Sequence, residues 1–339
     1  PIPYSQLGAD GKLAAPFDSQ QDVYTNMIKD LDNAINILTA KQTNTFNPDA
    51  DKVYGGNVVK WVKFANSLKL RLAMRIVKAN PGLAKQKAEE AVSGGVLTSA
   101  DKDILIDQGL SNELTRMFEW GDCGVNANLV TILEGYNDPR IALYITKNTN
   151  DVKVGDNVVV AKDSKYLGIR GGCNLPNKPN QWGNFSNIVC TYSTPMPVMK
   201  AAESYFLRAE GVLRGWDMGE GTAQSFYEEG VRVSFEENNA GSAAAYLADN
   251  ASTPGSFSDN VGSDNYTFTS RVTPAWDSSA GFEGSLERII TQKWIAIYPD
   301  GPEGWSEYRR TGYPELIPVV RNSSNGTVDT DLQGRRLPY

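Results

Sequence analysis

Aromatic residues outside any helical pattern are the side chains of this sequence best suited to hold a ligand. They are Trp120, Trp182, Tyr192, Tyr266, Phe268 and Trp276. An aromatic ring packs well against the apolar C–H face of a sugar, and neighbouring amide or carboxylate groups bond to its hydroxyls. Such polar residues surround two of these aromatics: Asn180, Gln181, Asn184 and Asn187 near Trp182, and Asp264 and Asn265 before Tyr266.

Each of these aromatic residues could equally pack within the fold. The candidate ligand-binding residues that we select are Trp182, Trp276, Tyr266, Trp120, Asn180, Gln181 and Asn184. Four other aromatics lie on or beside apolar helix faces and are expected to belong to the core: Trp61, Phe64, Trp216 and Trp294.

The amino-acid composition excludes several catalytic mechanisms. The 339 residues include no histidine, which excludes Ser-His-Asp and Cys-His nucleophiles and zinc sites that need imidazole. A glycosidase that uses two carboxylates remains an alternative, because it needs only Asp and Glu. The net charge of −7 disfavours nucleic acid as a partner and favours a neutral ligand such as a sugar or a peptide.

Metal and disulfide chemistry have weak signals. Cys123, Cys173 and Cys190 match no zinc spacing. They are either small thiols within the fold or, for Cys173 and Cys190, a disulfide across a loop. Asp101 and Asp103 could hold a structural calcium ion, but no EF-hand loop is visible. We therefore predict no cofactor and no catalytic metal site.

Helices dominate the periodic segments. Trp61, Phe64, Leu68, Leu72 and Ile76 recur at steps of three and four residues, which is typical of an amphipathic helix. The same reasoning predicts helices over 19–39, 58–79, 82–93, 126–134, 197–215, 221–239 and 285–298. Large and small apolar residues alternate in the pair 197–239, as in tetratricopeptide helices. The sequence predicts a mostly α protein of helical hairpins.

Long irregular segments interrupt these helices. Residues 100–198 are rich in Gly, Asn, Asp and Pro, with one hairpin predicted over 152–161, and 250–283 are rich in Ser, Asn, Asp and Gly. A tail is expected after 298, where Arg309 and Arg310 would pair with Glu303 and Glu307. We expect a single domain over 1–339, with a helical part (1–99), a loop-rich ligand side (100–198) and a helical pair with its tail (199–339).

The sequence contains no pattern typical of membrane attachment. No stretch approaches the roughly 20 apolar residues of a membrane-spanning helix, and no charged-then-apolar signal peptide opens the chain. The opening residues Pro1, Ile2, Pro3 and Tyr4 are typical of the middle of a protein. We expect that a targeting segment precedes them.

Three segments together resemble the SusD/RagB family. They are 60–76 (KWVKFANSLKLRLAMRI), 199–215 with its Ala202-Glu203 and Ala209-Glu210 pairs, and 287–314 (ERIITQKWIAIYPDGPEGWSEYRRTGYP). The turn 135–140 (GYNDPR) is also similar to that family. The likeness extends over nearly the whole chain, and the order and spacing of the segments make it specific.

This resemblance implies a non-enzymatic lipoprotein on the outer face of the outer membrane in Bacteroidetes-type cells. Its members capture oligosaccharides and deliver them to a SusC-like TonB-dependent transporter, and some capture peptides instead. They carry tetratricopeptide-like helices, and irregular loops supply the ligand face. The alternatives for this chain are peptide capture and a helical scaffold for protein partners. We expect the lipid anchor of the family to lie in a segment that precedes this sequence.

Overall fold

The computed structural model describes residues 2–8, 11, 14–101, 105–106, 112–121, 123–172 and 183–328. In this part of the chain the helices are α1 (Gln20–Thr39), α2 (Val58–Arg75), α3 (Pro81–Ser93), α4 (Glu113–Glu119), α5 (Ala127–Gly135), α6 (Ile141–Tyr144), α7 (Ala201–Leu213), α8 (Ala223–Glu237), α9 (Ala244–Leu247), α10 (Gly281–Ala296) and α11 (Gly301–Thr311). The predicted mostly α class is confirmed.

The scaffold consists of helical hairpins. Helix α2 packs against α1 and α3, while α7 packs against α8 and α10. The contact faces of α2, α3, α7, α8 and α10 form one large apolar core, which includes Leu70, Ala88, Phe206 and Ile289. Helix α1 contributes Ile28 to a separate, smaller apolar cluster. Gly230 of α8 lies so close to the Phe206 ring that a Cβ there would be 3.0 Å from it. This close approach explains why a small residue faces a large one between α7 and α8.

Short polar residues begin the first helices. The Ser19 side chain accepts the N–H of Asp22, and Asn57 and Asn80 cap α2 and α3 in the same way. Helix α2 ends at Arg75 rather than at the predicted residue 79. Tighter turns follow it, with the Ala79 N–H donating to the Ile76 carbonyl at 3.0 Å.

The strands are short and form two-stranded antiparallel sheets. They are β1 (Leu105–Ile106), β2 (Ile145–Asn148), β3 (Val152–Val154), β4 (Asn157–Val160), β5 (Ser186–Ile188), β6 (Met196–Pro197), β7 (Ser256–Phe257) and β8 (Tyr266–Thr267). The pairs are β1–β6, β2–β5, β3–β4 and β7–β8. The β3–β4 pair is the predicted hairpin, and Gly155 supplies the positive φ of its turn.

Helix α11 corrects the prediction of a tail after residue 298. Asp300 caps this helix by accepting the N–H of Glu303, Pro302 occupies its first turn, and Gly312 ends it in the left-handed region. Its buried residues include Glu303, Glu307 and Arg310. A helix that buries charged side chains lacks the apolar period by which helices are recognised, so the pattern missed it.

A buried charge network joins α11 to α2, α7 and α10. Lys293 Nζ lies 2.9 Å from Glu303 Oε1 and 3.2 Å from Glu203 Oε1, and Arg71 also contacts Glu203 at 2.5 Å. Burial alone would raise the pKa of Glu303, but the positive charges of Lys293, Arg71 and Arg75 outweigh it and lower this pKa to about 2. Here "the charge network" denotes Arg71, Arg75, Glu203, Glu210, Lys293, Glu303, Glu307 and Arg310.

Two smaller predictions also have clear outcomes. Arg310 pairs with Glu307 at 2.6 Å, as predicted, and with Glu210 at 2.5 Å. Arg309 instead lies over the Trp305 ring, 4.7 Å from its centroid. The four aromatics assigned to the core, Trp61, Phe64, Trp216 and Trp294, do pack against it.

Candidate ligand-binding site

The candidate aromatic side chains differ in their exposure to solvent. Trp120 is 69% exposed and Tyr192 is 38% exposed, so both rings face solvent. Phe268 is only 1% exposed, so of the two roles open to this unselected ring it has the packing role in the core. Tyr266 and Trp276 are partly buried against the same core.

Tyr266 and Trp276 also have partners within the fold. The Tyr266 hydroxyl donates to Glu315 Oε1 at 2.6 Å. The Trp276 ring lies 5.3 Å from the ring of Tyr227, centroid to centroid. These contacts leave less of each ring for a ligand than Trp120 offers.

Of the candidate residues in the 180–184 segment, the structure describes only Asn184. Trp182, Asn180 and Gln181 lie outside the described residues, so their role stays a prediction. Asn184 is described, and its side-chain amide donates to the Asp151 carbonyl at 3.2 Å. This bond ties the 183–188 segment to the turn that precedes β3.

Two exposed rings lie near the end of α4. We call the surface formed by Met117, Glu119, Trp120 and Tyr192 the α4 platform. The Tyr192 hydroxyl donates to the Glu119 carboxylate, and this bond raises the pKa of Tyr192. Met117 is 49% exposed on the same helix. The platform thus offers two aromatic rings, a thioether and one carboxylate.

A single buried side chain fixes this platform. The Asn112 backbone N–H donates to the Tyr192 carbonyl, and its side-chain amide donates to the Thr194 carbonyl, both at 2.8 Å. Its Oδ1 accepts the N–H of Leu114 at 3.1 Å and so caps α4. Asn112 therefore joins the turn that carries Tyr192 to the helix that carries Trp120.

Hydroxyl groups gather beside Tyr192. Thr191 Oγ1 lies 3.1 Å from both Ser193 Oγ and Thr194 Oγ1. Hydroxyls can both donate and accept, so this cluster can bond to ligand hydroxyls in either sense. The arrangement matches what a sugar presents, which is an apolar face with polar groups at its edge.

Two cavities lie behind α4. One of about 240 Å³ is lined mainly by apolar side chains, among them Phe118, Leu129 and Trp294. The other, of about 270 Å³, contains Lys200 and Glu237. Leu114, Ile188, Tyr298 and Pro299 line both. Burial lowers the pKa of Lys200 to about 8 and raises that of Glu237 to about 7.

Metal-binding expectations find little support. Asp101 accepts from Lys63 Nζ at 2.9 Å and from the Thr98 N–H at 3.1 Å, while Asp103 lies outside the described residues. Within the described ranges, no three acidic, histidine or cysteine side chains gather as metal ligands would. Cys173 is likewise not described, and the Cys190 thiol accepts from Thr115 Oγ1 at 3.3 Å. Calcium binding and cysteine pairing stay predictions.

Comparisons with known proteins identify the family. The family model for SusD-like proteins, described as SusD and RagB outer membrane lipoprotein, matches residues 1–339. The chain belongs to the SusD-like family. A search among curated proteins found no match. None of the helices in the described residues is both long and apolar enough to span a membrane.

Solved structures support this assignment. A SusD homologue from Bacteroides uniformis is 42% identical with a TM-score of 0.88, and the match covers 100% of this chain and 70% of that one. A SusD-like protein from Bacteroides thetaiotaomicron is 41% identical with a TM-score of 0.89 and the same coverage. A chitin-binding SusD homologue from Flavobacterium johnsoniae is 40% identical with a TM-score of 0.87, over 98% of this chain and 68% of that one.

Sequence reasoning missed the residues that organise the platform. Asn112 precedes Glu113, and an Asn before a helix is a recognisable capping signal. That signal could have located α4, but not the bonds from Asn112 to the 192–194 turn. Glu119 carried no signal, since exposed acidic residues are common throughout the chain.

Proposed function

We propose that this protein captures oligosaccharides on the α4 platform and delivers them to a SusC-like TonB-dependent transporter. The observation that carries the proposal is the 69% exposure of Trp120, a large ring that the fold leaves open at the end of α4. One exposed ring alone is ordinary, but Trp120, Met117 and Tyr192 are all exposed around the end of α4, and contiguous exposed apolar surface is typical of a binding site. Membership of the SusD-like family supports a glycan-binding surface protein over an enzyme.

The platform suits capture followed by release. A sugar stacked on an open surface keeps much of its contact with water, so we expect dissociation constants of roughly micromolar to millimolar, about −8 to −4 kcal/mol. Weak binding lets the ligand pass to a transporter. The same family assignment supports a location on the outer face of the outer membrane, held by a lipid anchor.

The class of glycan is suggested by a relative. The structure from Flavobacterium johnsoniae is that of a chitin-binding homologue, so N-acetylated glycans are the first to test. The apolar cavity behind α4, with Phe118, Leu129 and Trp294 in its walls, is of a kind that could receive acetyl methyl groups.

Affinity electrophoresis of Trp120→Ala tests the proposal. Gels would contain glycol chitin, soluble starch, xylan or mannan. The polymer that retards the wild-type protein should bind the variant about tenfold more weakly, because losing one aromatic contact costs on the order of 1.4 kcal/mol. The melting temperature should not change, since the ring is exposed.

Trp305→Ala provides the matched control. Trp305 is 39% exposed on the scaffold helix α11, and its loss should leave retention unchanged. Equal retention of wild type and Trp120→Ala would contradict the platform. Binding to a peptide library, with no retardation by any of the four polymers, would favour peptide capture instead.

A further inference from the structure

A further cleft lies against α5, on the side of Val130, Thr131 and Glu134. It has a volume of about 290 Å³, and we call it the α5 cleft. Helix α5 contributes Glu134, the 165–170 segment contributes Lys165 and Tyr166, and the β7 segment contributes Phe257 and Ser258. None of its lining residues belongs to the α4 platform or to the two cavities behind α4. It is therefore a separate candidate site.

The walls of the α5 cleft are fixed by internal bonds. The buried guanidinium of Arg170 donates to the Pro318 carbonyl at 2.8 Å and also to the Asp264 carbonyl. The Asp259 carboxylate accepts the N–H groups of Val261, Gly262 and Asp264 at 3.1, 2.9 and 3.2 Å. These two charged residues hold the wall in place, which makes the cleft preformed.

Other polar groups in the cleft have no partner in the fold. Among the described residues, the Glu134 carboxylate, the Lys165 ammonium, the Tyr166 hydroxyl and the Ser258 hydroxyl make no hydrogen bond or ion pair that fixes them. They are not sealed from solvent either. Partial burial raises the pKa of Glu134, and the charge of Lys165 opposes that rise. Donors and acceptors thus converge on an open space.

Aromatic and polar surface occur together in this cleft. Tyr166 and Phe257 are both partly buried against the core, so their rings are held in position. The four charged residues of the lining are Glu134, Asp259, Lys165 and Arg170, and their charges cancel. A cleft without net charge does not select a phosphate or another anion, whereas fixed rings beside free hydroxyl, carboxylate and ammonium groups fit a neutral sugar.

We propose that the α5 cleft is a second glycan subsite, which binds a further stretch of the same neutral polysaccharide as the α4 platform. This inference rests on the proposed function, since the ligand class is shared. Two subsites on one protein let weak contacts add along a polymer, so that a long chain is held more tightly than either subsite alone could hold it.

Isothermal titration with short ligands tests this inference. The probe is the tetrasaccharide of the polymer that retards the wild-type protein: N-acetylchitotetraose, maltotetraose, xylotetraose or mannotetraose. The cleft variant combines Glu134→Gln with Tyr166→Phe, which remove a charge and a hydroxyl without changing shape. Ser258→Arg, at an exposed position, is a second variant that fills the mouth of the cleft.

The wild-type protein should bind two equivalents of tetrasaccharide. Trp120→Ala and the cleft variants should each bind one, and retention by the polymer should fall about tenfold or more in each cleft variant. A single equivalent in the wild type, left unchanged by both cleft variants, would overturn the second subsite while the platform stands. Loss of binding only in the cleft variants would instead refute the platform. Failure of all four polymers to bind would refute both.

Discussion

The charge network and the α5 cleft both contain acidic and basic residues, but they use them in opposite ways. In the charge network every carboxylate faces a cation, as Glu210 faces Arg310 at 2.5 Å and Arg214 at 2.8 Å. In the α5 cleft, Glu134 and Lys165 are not joined by an ion pair within the described residues. Charges in the first region hold helices together, while Glu134 and Lys165 in the second remain available to a ligand.

Burial explains this division. A charge removed from water must be compensated by a partner inside the fold, or the fold is destabilised. Glu203, Glu210 and Glu307 are at most 1% exposed, so pairing is obligatory there. Glu134 keeps contact with solvent and can remain without a partner at little cost. The comparison predicts that substitutions in the two regions affect different measurements.

Loss of a network carboxylate should produce the largest effect. Glu307 contacts Arg75, lies 3.5 Å from Lys293 and 2.6 Å from Arg310. Glu307→Ala leaves these cations without compensation, and we expect a loss of about 3–5 kcal/mol in the free energy of unfolding. Urea denaturation followed by circular dichroism measures it.

An exposed ion pair is the control for that experiment. Glu228 lies 3.1 Å from Arg232 on the surface of α8, and Glu228→Ala should cost no more than about 0.5 kcal/mol. Similar losses in the two variants would mean that burial does not distinguish these pairs, and the comparison would fail.

Acidic pH should have the next largest effect, because it protonates carboxylates of the charge network. Nearby cations lower the pKa of Glu303 to about 2 and that of Glu307 below its usual range. A carboxyl whose pKa is depressed by folding stabilises the native state above its unfolded pKa, near 4.5, and loses this contribution as pH falls towards the folded value. The free energy of unfolding should therefore decrease steadily from about pH 4.5 to pH 2.

The Glu307→Ala variant sharpens this measurement. Because it lacks one of the depressed carboxyls, its stability should fall less steeply over the same pH range than that of the wild type. A wild-type stability that stays constant down to pH 2.5 would show that the network carboxylates do not contribute as their surroundings imply.

Much of the scaffold could be predicted from sequence, because apolar periodicity reports buried faces directly. Helices α1, α3 and α8 begin and end close to their predicted bounds. Helix α11 could not be found in this way, since its buried face consists of Glu303, Glu307 and Arg310. Pairing across four helices is a property of the tertiary structure, and no local pattern encodes it.

The candidate site was less predictable. Aromatic residues outside helical patterns could be chosen from sequence, but exposure could not. Trp120 faces solvent while Phe268 is buried, although both stand in irregular, polar segments. The deciding contacts are long-range, such as the bond from Asn112 to Thr194. The α5 cleft likewise joins four separate parts of the chain, at 130–134, 165–170, 185 and 256–261, whose proximity only the fold creates.

The last prediction concerns the smallest expected change in stability. It tests whether the α4 platform depends on the Asn112 side chain for its shape. Asn112→Ala removes the cap of α4 and the bond to the Thr194 carbonyl, so we expect a loss of about 1–2 kcal/mol together with weaker retention by glycan. Asn57→Ala removes only the cap of α2, where Asn57 Oδ1 accepts the Lys60 N–H at 3.0 Å, and should cost about 1 kcal/mol without changing retention. Because both variants lose a helix N-cap, weaker retention in Asn112→Ala alone reports the position of Trp120 and Tyr192. Equal retention in both variants would mean that the platform keeps its shape without Asn112, and the turn at 191–194 would then have to be held by its own hydroxyl bonds.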